Sequence, residues 1–376
     1  MKRQLLYLVT IFMAMGMSAQ TGKKVKTVEL TTGYQFHFEK DTQDSARVIF
    51  TPSNDSLGIK IYDKNTGEID FLYSQIHHVE FWATATINPN NANCNNSDDL
   101  KRNPQAWRLE FPRLHQGDEE FTYEITHSAR DIHGATAVNF SLEWDGQKQA
   151  NRWTCYQLYA DNLVNKVKRN DNFREDPDIT NRQHRTTLEQ YKGSGYSRGH
   201  LCPSGDRVNT REQNNQTFFL SNMQAQIQSH NGGVWNSLES DVRRYADRCD
   251  TLYVIKAATI DKKEDVAGRS ISGNLLVPKY FYMALLAYDK AKDEYHALGI
   301  WSPHHKGSST AYITIAELEK RTGIDFFCNL PDEIESKVES DRSNANASYW
   351  GVTFYREGAE LPGFNSGEHR SLVNFW

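Results

Sequence analysis

A histidine and an arginine flank a single glycine in the stretch Tyr196-Ser197-Arg198-Gly199-His200-Leu201-Cys202-Pro203-Ser204-Gly205-Asp206-Arg207. An imidazole can take a proton from water, and a guanidinium is a permanent cation. The pair suits cleavage of a phosphodiester, with a base for the nucleophile and a cation for the charge that gathers on phosphorus. The leaving oxygen must also be stabilised, and a hydrated divalent metal is the usual means. Mg²⁺ keeps most of its waters and takes one or two protein oxygens, so no acidic cluster is required. The oxygen donors downstream are Asn222, Asn231 and Glu239.

These residues need elements to hold them. The best helical pattern in the chain runs from Asn231 to Arg248, with Val234, Trp235, Leu238, Val242 and Tyr245 at helical spacing. Asn231 stands at its start, and Glu239 lies about two turns on, on roughly the same side. Trp235 reads as the core anchor of this helix and Cys202 as a small packed residue. Strand-like runs are Thr122 to Ile125, Ala137 to Trp144, Trp153 to Leu158, Thr217 to Leu220, Leu252 to Ala258 and Val277 to Tyr288. Thr314 to Thr322 reads as a helix closed by Gly323. The class is α+β. Alone, a histidine after glycine is a turn or core residue, an asparagine before a helix is a cap, and a glutamate on a helix is solvated. The ordered set favours a site.

Ser197-Arg198-Gly199-His200-Leu201, Pro203, Asp206-Arg207, Ser221-Asn222-Met223, Asn231-Gly232-Gly233-Val234-Trp235 and Leu238-Glu239 resemble the DNA/RNA non-specific endonuclease family. This belongs to the ββα-metal superfamily and is related to mitochondrial endonuclease G. The resemblance spans about residue 150 to about 335, with Leu252-Tyr253-Val254-Ile255, Val277-Pro278-Lys279 and Ile324-Asp325-Phe326-Phe327 like the later strands and final helix region. It implies a central antiparallel sheet flanked by helices. His200 would be the general base and Asn231 the direct ligand of a catalytic Mg²⁺, with Mn²⁺ as the alternative ion. Glu239 would be the acid that holds the ion's water, Asn222 a polar support, and Arg198 the arginine beside the scissile phosphate. A further arginine from the preceding loop corresponds to Arg169, with Arg174 left open. The family's motif usually begins with Asp and carries a small alanine where this chain has Ser197 and Cys202. Neither change touches the base or the metal ligand.

The chain has 376 residues, of which 12% are aromatic and 24% charged, which fits a soluble folded protein better than disorder or a membrane bundle. Its net charge of -5 is unexpected for a protein that handles a polyanion. However, residues 165–207 carry nine Lys or Arg against six acids, a local excess able to guide a phosphate backbone. The five cysteines include no CxxC pair and their number is odd, so at least one is free or pairs outside the chain. Met1-Lys2-Arg3-Gln4 precedes an apolar run to Met17 and then Ser18 and Ala19, the pattern of a signal peptide.

The expected organisation is a signal peptide over 1–19, a small β-rich module over 24–83, an Asn-rich linker over 84–105 and the endonuclease domain over 106–376. The expected location is the periplasm or the exterior of the cell. The expected activity is metal-dependent hydrolysis of DNA and RNA with little sequence preference and without a membrane span. The rival is an inactive nuclease-like protein that binds nucleic acid or acts as an adhesin, and retention of His200 with Asn231 speaks against it. A third reading narrows the enzyme to one small phosphodiester or one sugar type.

Overall fold

The computed structural model describes residues 18–20, 24–39, 42–43, 46–50, 56–65, 67–81, 95, 97–270, 275–307, 309–365, 367, 369 and 372–373. Most of the expected signal peptide, the linker segment 84–94 with Cys94, and Trp82 lie outside these residues. The chain divides into two compact units, Met1–Pro104 with Leu330–Asp332, and Gln105–Asn329 with Glu333–Trp376. No helix among the described residues is long and apolar enough to cross a membrane.

The first unit is built from two antiparallel sheets. Strand Val25–Leu30 pairs with Gln35–His37 and Ile76–Phe81, and Ser18–Gln20, Arg47–Phe50, Ser56–Asp63 and Gly67–Leu72 form the other. Val25, Val28, Phe38, Ile59, Ile61 and Phe71 make its core. Gly67–Leu72 is a strand that the sequence reading passed over, because its apolar positions alternate with charge in only six residues. Ser97–Arg102 is a helix inside the segment read as linker. Asp98 and Asp99 in its first turn and Lys101 and Arg102 in its last complement the helix dipole.

The second unit is organised on a seven-stranded antiparallel sheet. Its order is Ala311–Ile313, Glu294–Pro303, Tyr280–Asp289, Thr251–Ala258, Ala150–Leu158, Thr136–Asp145 and Thr122–Arg130. The near-continuous apolar runs of Thr251–Ala258 and Tyr280–Asp289 place these strands at the centre. Helix Asn236–Ala246 lays Leu238, Val242 and Tyr245 into one core with Leu142, Trp144, Tyr156, Val254 and Met283 of the sheet. Helix Ile315–Thr322 starts at a Thr314 cap and stops at Gly323, whose φ of 77° is the left-handed turn that glycine tolerates.

Four sequence expectations are corrected. Thr217–Leu220 is not a strand: Thr217 ends helix Arg211–Gln216, and Leu220–Asn222 is a 3₁₀ turn. The run Val277–Tyr288 is cut at Lys279, so that Leu276–Pro278 pairs with Val266–Ser270 in a separate sheet. Pro278 supplies the physical reason, since it has no N–H for a longer ladder. Ile324–Phe326 is irregular and not part of a final helix. The helix expected from Asn231 is interrupted, with consequences for the site.

Candidate active site

Ser197–His200 pairs antiparallel with Met223–Gln226, and the chain then enters the helical segment, so strand, strand and helix follow in a ββα order. Register sets Arg198 opposite Ala225 and His200 opposite Met223. Between them, a Cβ on Gly199 would come within 2.1 Å of Gln226 Oε1, so only glycine fits there. The hairpin therefore fixes base and cation two residues apart on one face of a strand.

His200 is 7% exposed. Phe218 stands edge-on at 5.2 Å and Phe173 at 5.7 Å. Burial pushes the imidazole down to about 3, and the nearby charges of Arg169, Arg198 and Lys256 act in the same direction. A hydrogen bond with the Arg198 backbone opposes this. Nε2 is buried without a hydrogen-bond partner among the described residues. The ring is thus neutral at physiological pH and offers one free nitrogen.

Arg169, Arg198, His200, Asn231, Glu239 and Arg243 line one cavity of about 280 Å³. Arg198 is held by cation–π contact with Phe173, its guanidinium carbon 3.9 Å from the ring centroid. Arg169 lies over Phe218 at 5.0 Å, pairs with Asp171 at 2.7 Å and donates to the Ser204 hydroxyl at 3.2 Å. Arg174 is turned elsewhere: it stacks 4.1 Å from the Phe219 centroid and donates to the carbonyls of Asn172 and Asn215. Of the two arginines left open by the sequence, only Arg169 lines the cavity.

The helical side of the cavity begins with the turn Gln228–His230, followed by a wide π turn over Asn231–Trp235. Gly233 leaves helical geometry at φ -104°, ψ -113°. Two adjacent glycines are poor helix formers, which accounts for the break. Asn231 has helical backbone angles of -57° and -52° and is not an N-cap. Trp235 is fully buried and stacks with His230. Burial pushes the Glu239 carboxyl up to about 7; Lys256 opposes this rise, Asp206 adds to it, and Arg243 also opposes it.

Asn222 is brought near but not into the cavity. It is fully buried, its Oδ1 accepts from the Cys202 N–H at 2.8 Å, and its Nδ2 donates to the carbonyls of Cys202 and Thr217 at 2.9 Å each. Through these bonds it braces the turn after His200. Asp206 and Arg207 are also structural. Asp206 accepts from Tyr156 at 2.7 Å and from Arg243 at 2.9 Å, while Arg207 donates to the carbonyls of Asn139 and Gln157. Cys202 is fully buried with its thiol pushed up to about 12 by burial. Cys155, Cys202 and Cys249 are free thiols.

Sequence reasoning missed Arg243 and Lys256. Arg243 follows Glu239 by four residues, the spacing of neighbours on a helix face. Lys256 is the one charge in the apolar strand Thr251–Ala258; it is fully buried, with Nζ 3.9 Å from Asp206 Oδ2. Elsewhere, His127, Asp176 and Asp178 form a group that could hold a metal ion. Its ring nitrogens face Asp176 at 2.9 Å and Asp178 at 3.4 Å. Burial pushes the Asp176 carboxyl up, but hydrogen bonds from His127 and Ser221 prevail and hold it below its usual range. None of the three lines the cavity.

Comparison with known proteins gives a consistent result. The profile of the DNA/RNA non-specific endonucleases matches residues 117–333. A nuclease of Nostoc sp. is 31% identical over 216 residues, covering 54% of this chain and 77% of that protein. Nuclease C1 of Cunninghamella echinulata is 30% identical over 208 residues, covering 51% and 81%. Human mitochondrial endonuclease G is 28% identical over 156 residues, covering 39% and 52%. Among solved structures, a chain of the EndoG/EndoGI complex is similar with a TM-score of 0.48 and 23% identity, covering 56% of this chain and 88% of that one.

Proposed function

This chain belongs to the DNA/RNA non-specific endonuclease family, and from that premise we propose that it hydrolyses DNA and RNA phosphodiesters with little sequence preference, with His200 as base and Mg²⁺ as metal. The observation that carries the assignment of the base is the free, buried Nε2 of His200 in a cavity that also holds three arginines.

The residues present fit a hydrated Mg²⁺. Among the described residues, neither the Asn231 amide nor the Glu239 carboxylate makes a side-chain hydrogen bond, and both line the same cavity as His200. Asn231 would hold the ion directly and Glu239 through its water, a hard oxygen set that also suits Mn²⁺. When bound, the ion supplies positive charge for the leaving oxygen. His200 Nε2 accepts the proton of the attacking water. Arg198 and Arg169 face the phosphate and offset the charge that builds on its oxygens. Phe173 and Phe218 exclude water and keep the imidazole unprotonated between turnovers. Contacts limited to phosphate and sugar carry no sequence information, which supports weak preference among bases.

The test is nicking of supercoiled plasmid and degradation of RNA, with Mg²⁺ or chelator, by the intact protein and by His200→Ala. Absence of metal-dependent cleavage by the intact protein sinks the enzyme reading, and equal cleavage by the variant sinks the role of His200. Export rests on the basic, apolar and small-residue pattern of the first nineteen residues. Amino-terminal sequencing of protein from the culture medium or the periplasm checks it.

A further inference from the structure

A second cavity, of about 540 Å³, adjoins the first and shares Arg169, Arg198 and Asn231 with it. Neither His200 nor Glu239 lines it, so it does not hold the reacting phosphorus. Its volume falls within the range of small-molecule sites, roughly 300–1,000 Å³. Three features of its wall differ in chemistry. Leu188 opens the short helix Leu188–Tyr191 and is 44% exposed, whereas Tyr191 of the same turn is buried. Gln228 accepts the Ser197 hydroxyl at 2.7 Å through Oε1, which leaves its amide N–H groups to donate. Lys192, 78% exposed at its side chain and 3.6 Å from Glu189, stands at the edge farther along the chain.

An apolar residue, an amide donor and the three cations Arg169, Arg198 and Lys192, against the single carboxylate of Asp171, suit a flat heterocycle on a sugar between two phosphates. We propose that this cavity is the subsite for the nucleoside adjoining the scissile phosphate, with the base against Leu188, the Gln228 amide directed to a ring carbonyl, and the next phosphate toward Lys192. The inference rests on the nuclease reading and names a substrate group that the reading leaves open. Base stacking is sequence-tolerant, because every base has an apolar face. The apolar contact therefore adds binding at any base, and the Gln228 amide favours bases that carry a ring carbonyl over adenine.

Small chromogenic diesters separate this subsite from the catalytic cavity. Thymidine 3′- and 5′-(p-nitrophenyl phosphate) carry the nucleoside on one side or the other, and methyl p-nitrophenyl phosphate carries none. In each, water adds to phosphorus, its proton passes to His200, and the bond to the aryl oxygen breaks with its electron pair leaving as p-nitrophenolate. The better thymidine ester is expected to exceed the methyl ester in kcat/KM by about tenfold or more, and Leu188→Glu to cut that ratio below about threefold. Gln228→Ala is a second variant at an exposed position and is expected to lower the ratio in the same direction. A ratio near one in the intact protein, or a ratio unmoved by either variant, overturns the subsite. If the intact protein cleaves plasmid but shows no such ratio, only the subsite fails. If it cleaves nothing, the nuclease reading fails and the subsite with it.

Discussion

The guanidinium carbon of Arg198 lies 3.9 Å from the centroid of the Phe173 ring, and that ring is 5.7 Å from the imidazole of His200. One aromatic side chain thus orients the cation and desolvates the base. Phe173→Ala removes both effects. Water then reaches the imidazole and favours its charged form, so the His200 pKa should rise from about 3 toward its ordinary value of 6.5. Cleavage should fall about tenfold or more through loss of orientation, and acid pH should inhibit the variant where it spares the native protein. Histidine titration by NMR and pH–rate profiles check the two effects separately.

Glu239 titrates near pH 7 in the fold because burial penalises its charged form. A divalent cation held beside it favours the carboxylate, so binding of Mg²⁺ or Mn²⁺ should expel a proton. Proton release should be large at pH 6, smaller at pH 7 and near zero at pH 8.5. Calorimetry in two buffers of different ionisation enthalpy measures it, and Glu239→Gln should abolish it. The same shift has a sign for stability. The folded state binds this proton more tightly than the unfolded state, so the contribution of Glu239 is most favourable below its ordinary 4.5 and is lost as pH rises through about 7. Glu239→Gln should therefore gain stability relative to the native protein as pH rises through this window, which denaturant titrations at pH 5 and 8.5 would detect.

Asn222 separates a brace from a ligand. Its three hydrogen bonds end on the backbone of Cys202 and Thr217. Asn222→Ala leaves buried backbone groups unpaired and should cost about 1–3 kcal/mol of stability. Divalent-metal affinity in the folded variant should stay within about threefold of the native value, because Asn222 does not line the cavity that holds Asn231 and Glu239. Denaturant midpoints and metal titration are the readouts. A variant of native stability that no longer binds metal would instead make Asn222 a ligand.

The site was legible in sequence where chemistry needs a fixed residue type at fixed spacing. Arg198, Gly199 and His200 share a strand, and Asn231 and Glu239 share a helical segment, so short-range geometry brings each pair into line. The break at Gly233 was not legible, because the apolar spacing of Val234, Trp235 and Leu238 continues through it and only the two glycines signal it. Lys256 was lost inside an apolar strand, where pattern reading registers the run and not the exception. Asn222 showed its type but not its partners, which come from tertiary contacts with Cys202 and Thr217. The sheet was read strand by strand. Its order, with Thr251–Ala258 beside both Ala150–Leu158 and Tyr280–Asp289, depends on long-range pairing that local patterns do not encode.

Arg169 and Arg174 are five residues apart in one irregular loop, and the resemblance favours Arg169 while leaving Arg174 open. Arg169 reaches the cavity and is half-exposed, with a side-chain exposure of 49%. Arg174 donates to two backbone carbonyls and covers the Phe219 ring. Arg169→Ala should remove a cation from the phosphate and lower kcat/KM for plasmid by about tenfold or more, with a weaker dependence on salt. It should leave stability nearly unchanged, since its pair with Asp171 is at the surface. Arg174→Ala should do the reverse: cleavage within about threefold of native, but a stability loss of about 1–2 kcal/mol as two carbonyls lose a charged donor. Kinetics at two ionic strengths, set beside denaturant midpoints for both variants, decide the assignment. If Arg174→Ala abolished cleavage at native stability while Arg169→Ala cleaved normally, the roles would have to be exchanged.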